Sequence, residues 1–153
     1  MNIFITFDYE IYFGKISGTV EKCILQPVRE LIRIAEKQNV RFSFFADSGF
    51  ILKLDESRRK YPALEKAYQE ICTQLSYLSG TGHDVQLHIH PHWEDSYYDG
   101  EKWVIDTNRY KFSDFGEEDR IAIFLRYKKC LEDVIRKPVS AYRAGGWCIQ
   151  PFQ

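Results

Sequence analysis

All four histidines of the chain, His83, His88, His90 and His92, fall within ten consecutive residues, in the stretch "HDVQLHIHPH". Imidazole is the commonest metal ligand, and two histidines plus a carboxylate with open positions make a catalytic rather than a structural centre. Carboxylates to match stand in "DYE", where Asp8 and Glu10 are two residues apart. On an extended strand that spacing turns both side chains the same way. One can then ligate a metal while the other serves as general base on metal-bound water. A third group is Arg143, followed by Gly145 and Gly146 in "RAGGW". Its guanidinium can orient a carboxylate base, and backbone without a Cβ can come close enough to a substrate to donate to an oxyanion. Taken singly, each motif has a plainer reading: a surface-loop histidine, a solvated strand end, an ordinary turn. The concentration of histidine beside carboxylates favours the metal.

These groups are useful only if the fold gathers them. "NIFITFD" alternates, with Ile3, Ile5 and Phe7 against Thr6, Asp8 and Glu10, which predicts a strand. Ile24, Val28, Leu31, Ile32 and Ala35 follow at helical spacing, with Pro27 near the first turn. "RFSFFAD" reads as the next strand. Pro62 opens a second helix carrying Leu64, Tyr68, Ile71, Leu75 and Leu78, stopped by the glycines of "SGTG". "DVQLHIH" is a third strand, with Val85, Leu87 and Ile89 against Gln86, His88 and His90. Pro91 then bends the chain, so that His92 can swing back beside His88. Residues 94–114 read as a long aromatic loop with a hairpin around Gly100. A third helix over 117–136 carries Ile121, Phe124, Leu131 and Val134, Pro138 ends it, and "VSAYR" is a fourth short strand. The alternation predicts one domain, residues 1–153, of α/β class with a parallel sheet or barrel. Functional groups of such folds gather at the C-terminal ends of the strands. Asp8 and Glu10, the histidines, and Arg143 end three different strands and so converge on one rim.

Composition narrows the partners. At 153 residues, with 44% hydrophobic and 28% charged residues, the chain has the make-up of a globular domain with a real core. A net charge of -1 with interleaved signs offers no basic face for nucleic acid. No apolar run is long enough to span a bilayer, and "MNIFITFDYE" lacks a basic leader, which predicts a cytoplasmic protein. Cys23, Cys72, Cys130 and Cys148 form no C-x-x-C pair and read as reduced, mostly buried thiols.

Three segments, in order, resemble the polysaccharide deacetylase (NodB-homology) family of carbohydrate esterases. The family's T-F-D-D motif is similar to "TFDYE", residues 6–10. Its H-[ST]-x-x-H motif, with a G-H-E-I-G lead-in, is similar to "GHDVQLHIHPH". Its R-x-P-Y-like turn is matched loosely by "YRAGGW". The resemblance implies Asp8 as catalytic base with Arg143 beside it, and His88 and His92 as metal ligands. It leaves His90 between them without that role. Tyr9 stands where the third ligand usually is, and Glu10 takes the place used by D-x-[DE] relatives. An oxyanion would be held by backbone near Gly146 and Trp147. The implied cofactor is a divalent metal, usually zinc. The implied activity is removal of N-acetyl groups from an acetamido sugar or polysaccharide, here in a cytosolic step of building a cell-surface glycan. The family's general acid is a histidine in its last motif and none follows His92, so the resemblance implies that these 153 residues alone are inactive as a deacetylase. Its fold is a distorted (β/α) barrel, which typically needs roughly 200 residues or more. The resemblance therefore predicts the N-terminal part of such a barrel, incomplete at its C-terminus, with an unpaired edge that would favour self-association. Two alternatives remain open. One is an amidohydrolase acting on a small amide. The other is a non-catalytic carbohydrate-binding relative that stacks sugars on Trp93, Tyr97, Tyr98 and Trp103.

Overall fold

In the computed structural model, which describes residues 3–12 and 18–147, four short strands carry the candidate site. The side chain of Trp147 and all of Cys148 lie outside the described residues. In chain order the elements are β1 (Thr6–Tyr9), α1 (Gln26–Gln38), β2 (Ser43–Asp47), α2 (Ser48–Arg58), α3 (Glu65–Gly80) and β3 (Asp84–Ile89), then β4 (Tyr97–Tyr98), β5 (Trp103–Val104), α4 (Glu117–Ile135) and β6 (Tyr142–Ala144). β1, β2, β3 and β6 form one sheet in that order, with every neighbouring pair parallel. The α/β class and parallel sheet expected from the sequence are therefore present. Asp47, His88 and Arg143 fall in one row across β2, β3 and β6.

The pleat sorts the side chains. One face carries Tyr9, Phe44, Ala46, Val85, Leu87 and Ile89, all buried in a core shared with Leu54, Leu75, Leu78 and Leu131 of the helices. Phe7 joins it, stacked on Phe44 at 5.6 Å between ring centroids. The opposite face carries Thr6, Asp8 and Arg143, which bond to one another beside Phe45. β1 is shorter than its alternation suggests, and Ile3, Phe4 and Ile5 ahead of it are exposed.

The helices match the sequence in part. α1 has Pro27 in its first turn and ends at Asn39, which takes the left-handed conformation (φ 51°). It is preceded by a π-helical turn, Glu21–Leu25. α3 stands where expected, behind a single turn of 3-10 helix, Pro62–Leu64. α2 was not expected. It starts directly after β2, its N-terminus capped by Asp47, and buries Ser48, Gly49, Phe50, Ile51 and Leu54. In α4 the buried seam runs through Ile123, Tyr127, Leu131 and Ile135, while Ile121, expected inside, is 56% exposed. Phe124 and Val134 pack at its border. β4 and β5 make the hairpin expected near Gly100, whose φ of +114° is open to glycine and costly for other residues. Among the described residues no helix is long and apolar enough to cross a membrane.

Candidate metal centre

The end of β1 is pinned from below. The Tyr9 ring is buried, and its hydroxyl donates to Gln74 Oε1 of α3 at 2.9 Å. The alternating pleat then sends Glu10 to the other side, over the end of β3. There Glu10 Oε2 lies 3.1 Å from His88 Nε2 and 2.6 Å from His90 Nε2. One ligand atom from each of the three residues falls within 4.8 Å of the others. Two imidazoles and a carboxylate, meeting at one point, are a donor set suited to zinc with coordination positions left over.

The surroundings orient this set. His88 Nδ1 is 3.0 Å from the backbone carbonyl of Arg143. A carbonyl only accepts, so the proton resides on Nδ1 and Nε2 is left to face Glu10. Metal-binding histidines are commonly held by an outer bond of this kind. Burial disfavours a charged ring at His88, but the bond to Glu10, the nearby Asp47 charge and the Arg143 carbonyl prevail and raise its pKa. For Glu10, burial works to raise the pKa, while the bonds and charges of His88 and His90 outweigh it and hold the carboxyl at about 2. The pocket therefore collects positive charge between an ionised carboxylate and two imidazoles. A proton can supply that charge, and so can a divalent cation.

His90 is the addition that the structure makes. Its ring stands nearly perpendicular to that of His88, 4.6 Å away. Gly145 lies directly against it, and a Cβ at that position would collide with Nδ1, Cε1 and Cγ of the imidazole. Gly146, at φ +60°, is approached just as closely by the Tyr110 hydroxyl. The glycine pair thus has a packing reason: it makes room for His90 and Tyr110. His92 sits one ring further on, in the 3-10 turn Pro91–Glu94. It is fully buried, 5.3 Å from the His90 ring, parallel to Tyr110 at 5.9 Å, and its Nδ1 is 3.3 Å from Ser96 Oγ. Burial, helped by the His90 charge, lowers its pKa to about 4 and keeps the ring neutral near pH 7. The three-residue cluster is formed with His90, whereas the family spacing singles out His92. His83 is remote in role. Its Nδ1 accepts the Phe42 backbone N–H at 3.1 Å, and its ring packs 5.7 Å from Phe44.

Asp8 and Arg143 meet as expected. Arg143 Nη1 pairs with Asp8 Oδ1, Nη2 donates to Thr6 Oγ1 at 2.7 Å, and the guanidinium lies 3.9 Å over the Phe45 ring. Asp8 stays reachable from solvent, its side chain 41% exposed. A further carboxylate, Asp47, ends β2 and belongs to none of the motifs singled out in the sequence. Its carboxylate accepts the Trp93 indole N–H at 2.6 Å and the Phe50 backbone N–H at 3.3 Å. Burial pushes this carboxyl up despite the opposing histidine charges and the indole bond. The strand-end rule that found the other three groups applies equally to "FFAD". Trp93 is 1% exposed, wedged between Phe50 and Trp103, so it offers no face to a sugar. Tyr97 is exposed, and Tyr98 and Trp103 are half-buried against each other.

No family model matches this chain, and no curated protein or solved structure does either.

Proposed function

We propose that the protein is a metal-dependent hydrolase that removes N-acetyl groups from an acetamido sugar or polysaccharide, with Glu10, His88 and His90 holding the metal. The carrying observation is the single carboxylate oxygen of Glu10 within hydrogen-bond reach of both imidazoles. The donor set favours zinc. A cation of that kind acidifies bound water and polarises an amide oxygen. The chain's own residues supply the remainder. Asp8, on the same side of the sheet as Glu10, is oriented by the Arg143 fork and open to solvent, so it can take a proton at its carboxylate. Thr6 fixes the other arm of that fork. Neutral His92 and Tyr110 wall the far side of His90 without adding charge.

The acetamido substrate rests on the resemblance of "TFDYE", "GHDVQLHIHPH" and "YRAGGW" to the deacetylase motifs. Parallel strands in chain order, joined through helices, support reading the sheet as part of a distorted (β/α) barrel. The test is acetate release from N-acetylglucosamine oligomers by zinc-loaded protein, with imidazole added as the general acid that the resemblance assigns to a later histidine. Release that a chelator stops and zinc restores is expected. Stoichiometric zinc with no release from any N-acetylated oligosaccharide would contradict the assignment and favour a binding role.

A further inference from the structure

Asp47 is a buried carboxylate that the proposed chemistry does not use. It is 3% exposed and stands in register with His88, yet its bonds go elsewhere. A carboxylate in that position is costly unless its oxygens are satisfied. One bond, from the Phe50 N–H, caps α2. Serine or asparagine caps a helix equally well, so capping alone does not call for a buried acid. The other bond, from the Trp93 indole at 2.6 Å, is the informative one.

Trp93 connects Asp47 to the metal centre. Its backbone N–H donates to the carbonyl of His90 at 3.2 Å. Its ring is enclosed by Phe50 at 5.2 Å and Trp103 at 5.4 Å. Gly49 leaves space for it, since a Cβ there would fall 2.8 Å from the indole Cδ1. The indole is thus held at one end by Asp47 while its backbone holds His90. His88 needs no such help, because it lies within β3 with a paired strand on each side. His90 lies one residue past the end of β3, where the ladder no longer fixes it.

We infer that Asp47 is a positioning residue for the metal centre: through the Trp93 indole it fixes the turn that aims His90 at Glu10. This rests on the reading of Glu10, His88 and His90 as metal ligands. Two substitutions isolate the bond. Asp47→Ser keeps the helix cap and loses the indole contact, and Trp93→Phe keeps an aromatic ring and loses the N–H. Each is expected to weaken zinc binding at least about 10-fold, the lower end for an outer-shell contact. The double variant should be no worse than the poorer single one, because both remove the same bond. Asp47→Asn, whose single amide oxygen can accept from the indole at the cost of the Phe50 cap bond, should restore most of the affinity. A merely structural Asp47 would lower the melting temperature without that pattern of rescue. If Asp47→Ser fails to fold, Trp93→Phe decides, since it leaves the cap intact.

Imidazole NMR spectra of the metal-free protein separate this inference from the metal assignment. Both variants should move the His90 ring signals and leave those of His83 in place. Absence of zinc binding in the unsubstituted protein would defeat the metal reading alone, and the His90 signals would still judge Asp47. Unchanged His90 signals in Trp93→Phe, or unchanged zinc affinity in both single variants, would overturn the role of Asp47.

Discussion

Glu10 Oε2 stands 2.6 Å from His90 Nε2, although 80 residues separate the two in sequence. Each lies one residue beyond the end of its strand, β1 and β3, with β2 between them. The contact is a product of parallel topology: strands that run the same way deliver their ends to the same rim. It also leans on Gly145, which admits the His90 ring, and on Tyr9, which pins the end of β1.

The pairing of Asp8 with Arg143 predicts a separation of binding from turnover. Asp8→Asn should keep the metal and lower acetate release by roughly 10²–10⁴-fold, the usual worth of a general base. Arg143→Lys should also keep the metal and lower the rate, because one ammonium cannot bridge Asp8 and Thr6 as the guanidinium fork does. Metal analysis beside steady-state kinetics checks both. Loss of metal in Asp8→Asn would give Asp8 the role of ligand.

Gly145→Ala should damage the centre without touching a ligand. The added methyl must displace the His90 ring, which is buried and cannot swing into solvent. Overpacking of this kind costs about 1–3 kcal/mol. The expected result is a lower melting temperature together with weaker zinc binding. A variant of normal stability and normal metal content would mean that His90 has room the structure does not show.

His83 predicts a pH dependence independent of the metal. Burial, then the charge of Arg41, lowers its pKa below the ordinary 6.5. The unfolded chain therefore takes up this proton before the folded one does. The contribution to stability is full above pH 6.5 and declines as pH falls from there through the lowered folded-state value. Protonation at Nδ1 also removes the acceptor for the Phe42 N–H. Denaturant midpoints measured between pH 7.5 and 5 should fall for the natural chain and fall less for His83→Gln. Equal slopes in the two proteins would contradict this.

Much of this arrangement was legible from residue spacing. Alternation in "DVQLHIH" already set His88 and His90 on one face, and "DYE" set Asp8 and Glu10 on one side. The resemblance points to His92 as well, and Pro91 opens a 3-10 turn that sets the His92 ring parallel to Tyr110, one ring beyond His90. α2 has no clear signature in the sequence because its buried residues include Ser48 and Gly49 and form no single stripe, the burial being set by packing against α3 and α4. The seam of α4 lies two residues later than its spacing suggests, for a related reason. Ile121 and Ile123 are equally apolar, and only the direction of approach to the sheet distinguishes them. Asp47 ends a strand as plainly as Asp8 does, but its bond to Trp93 depends on a turn that follows 46 residues later.

The proposed hydrolase requires that Glu10, His88 and His90 together hold one divalent metal. The most direct measurement is elemental analysis of His88→Ala, His90→Ala and His92→Ala proteins purified side by side and loaded with zinc. Near-stoichiometric zinc is expected in the unsubstituted protein and in His92→Ala, with its loss in His88→Ala and His90→Ala. Zinc retained in His90→Ala and lost in His92→Ala would contradict it, and would show that the H-x-x-x-H spacing rather than the observed cluster defines the site.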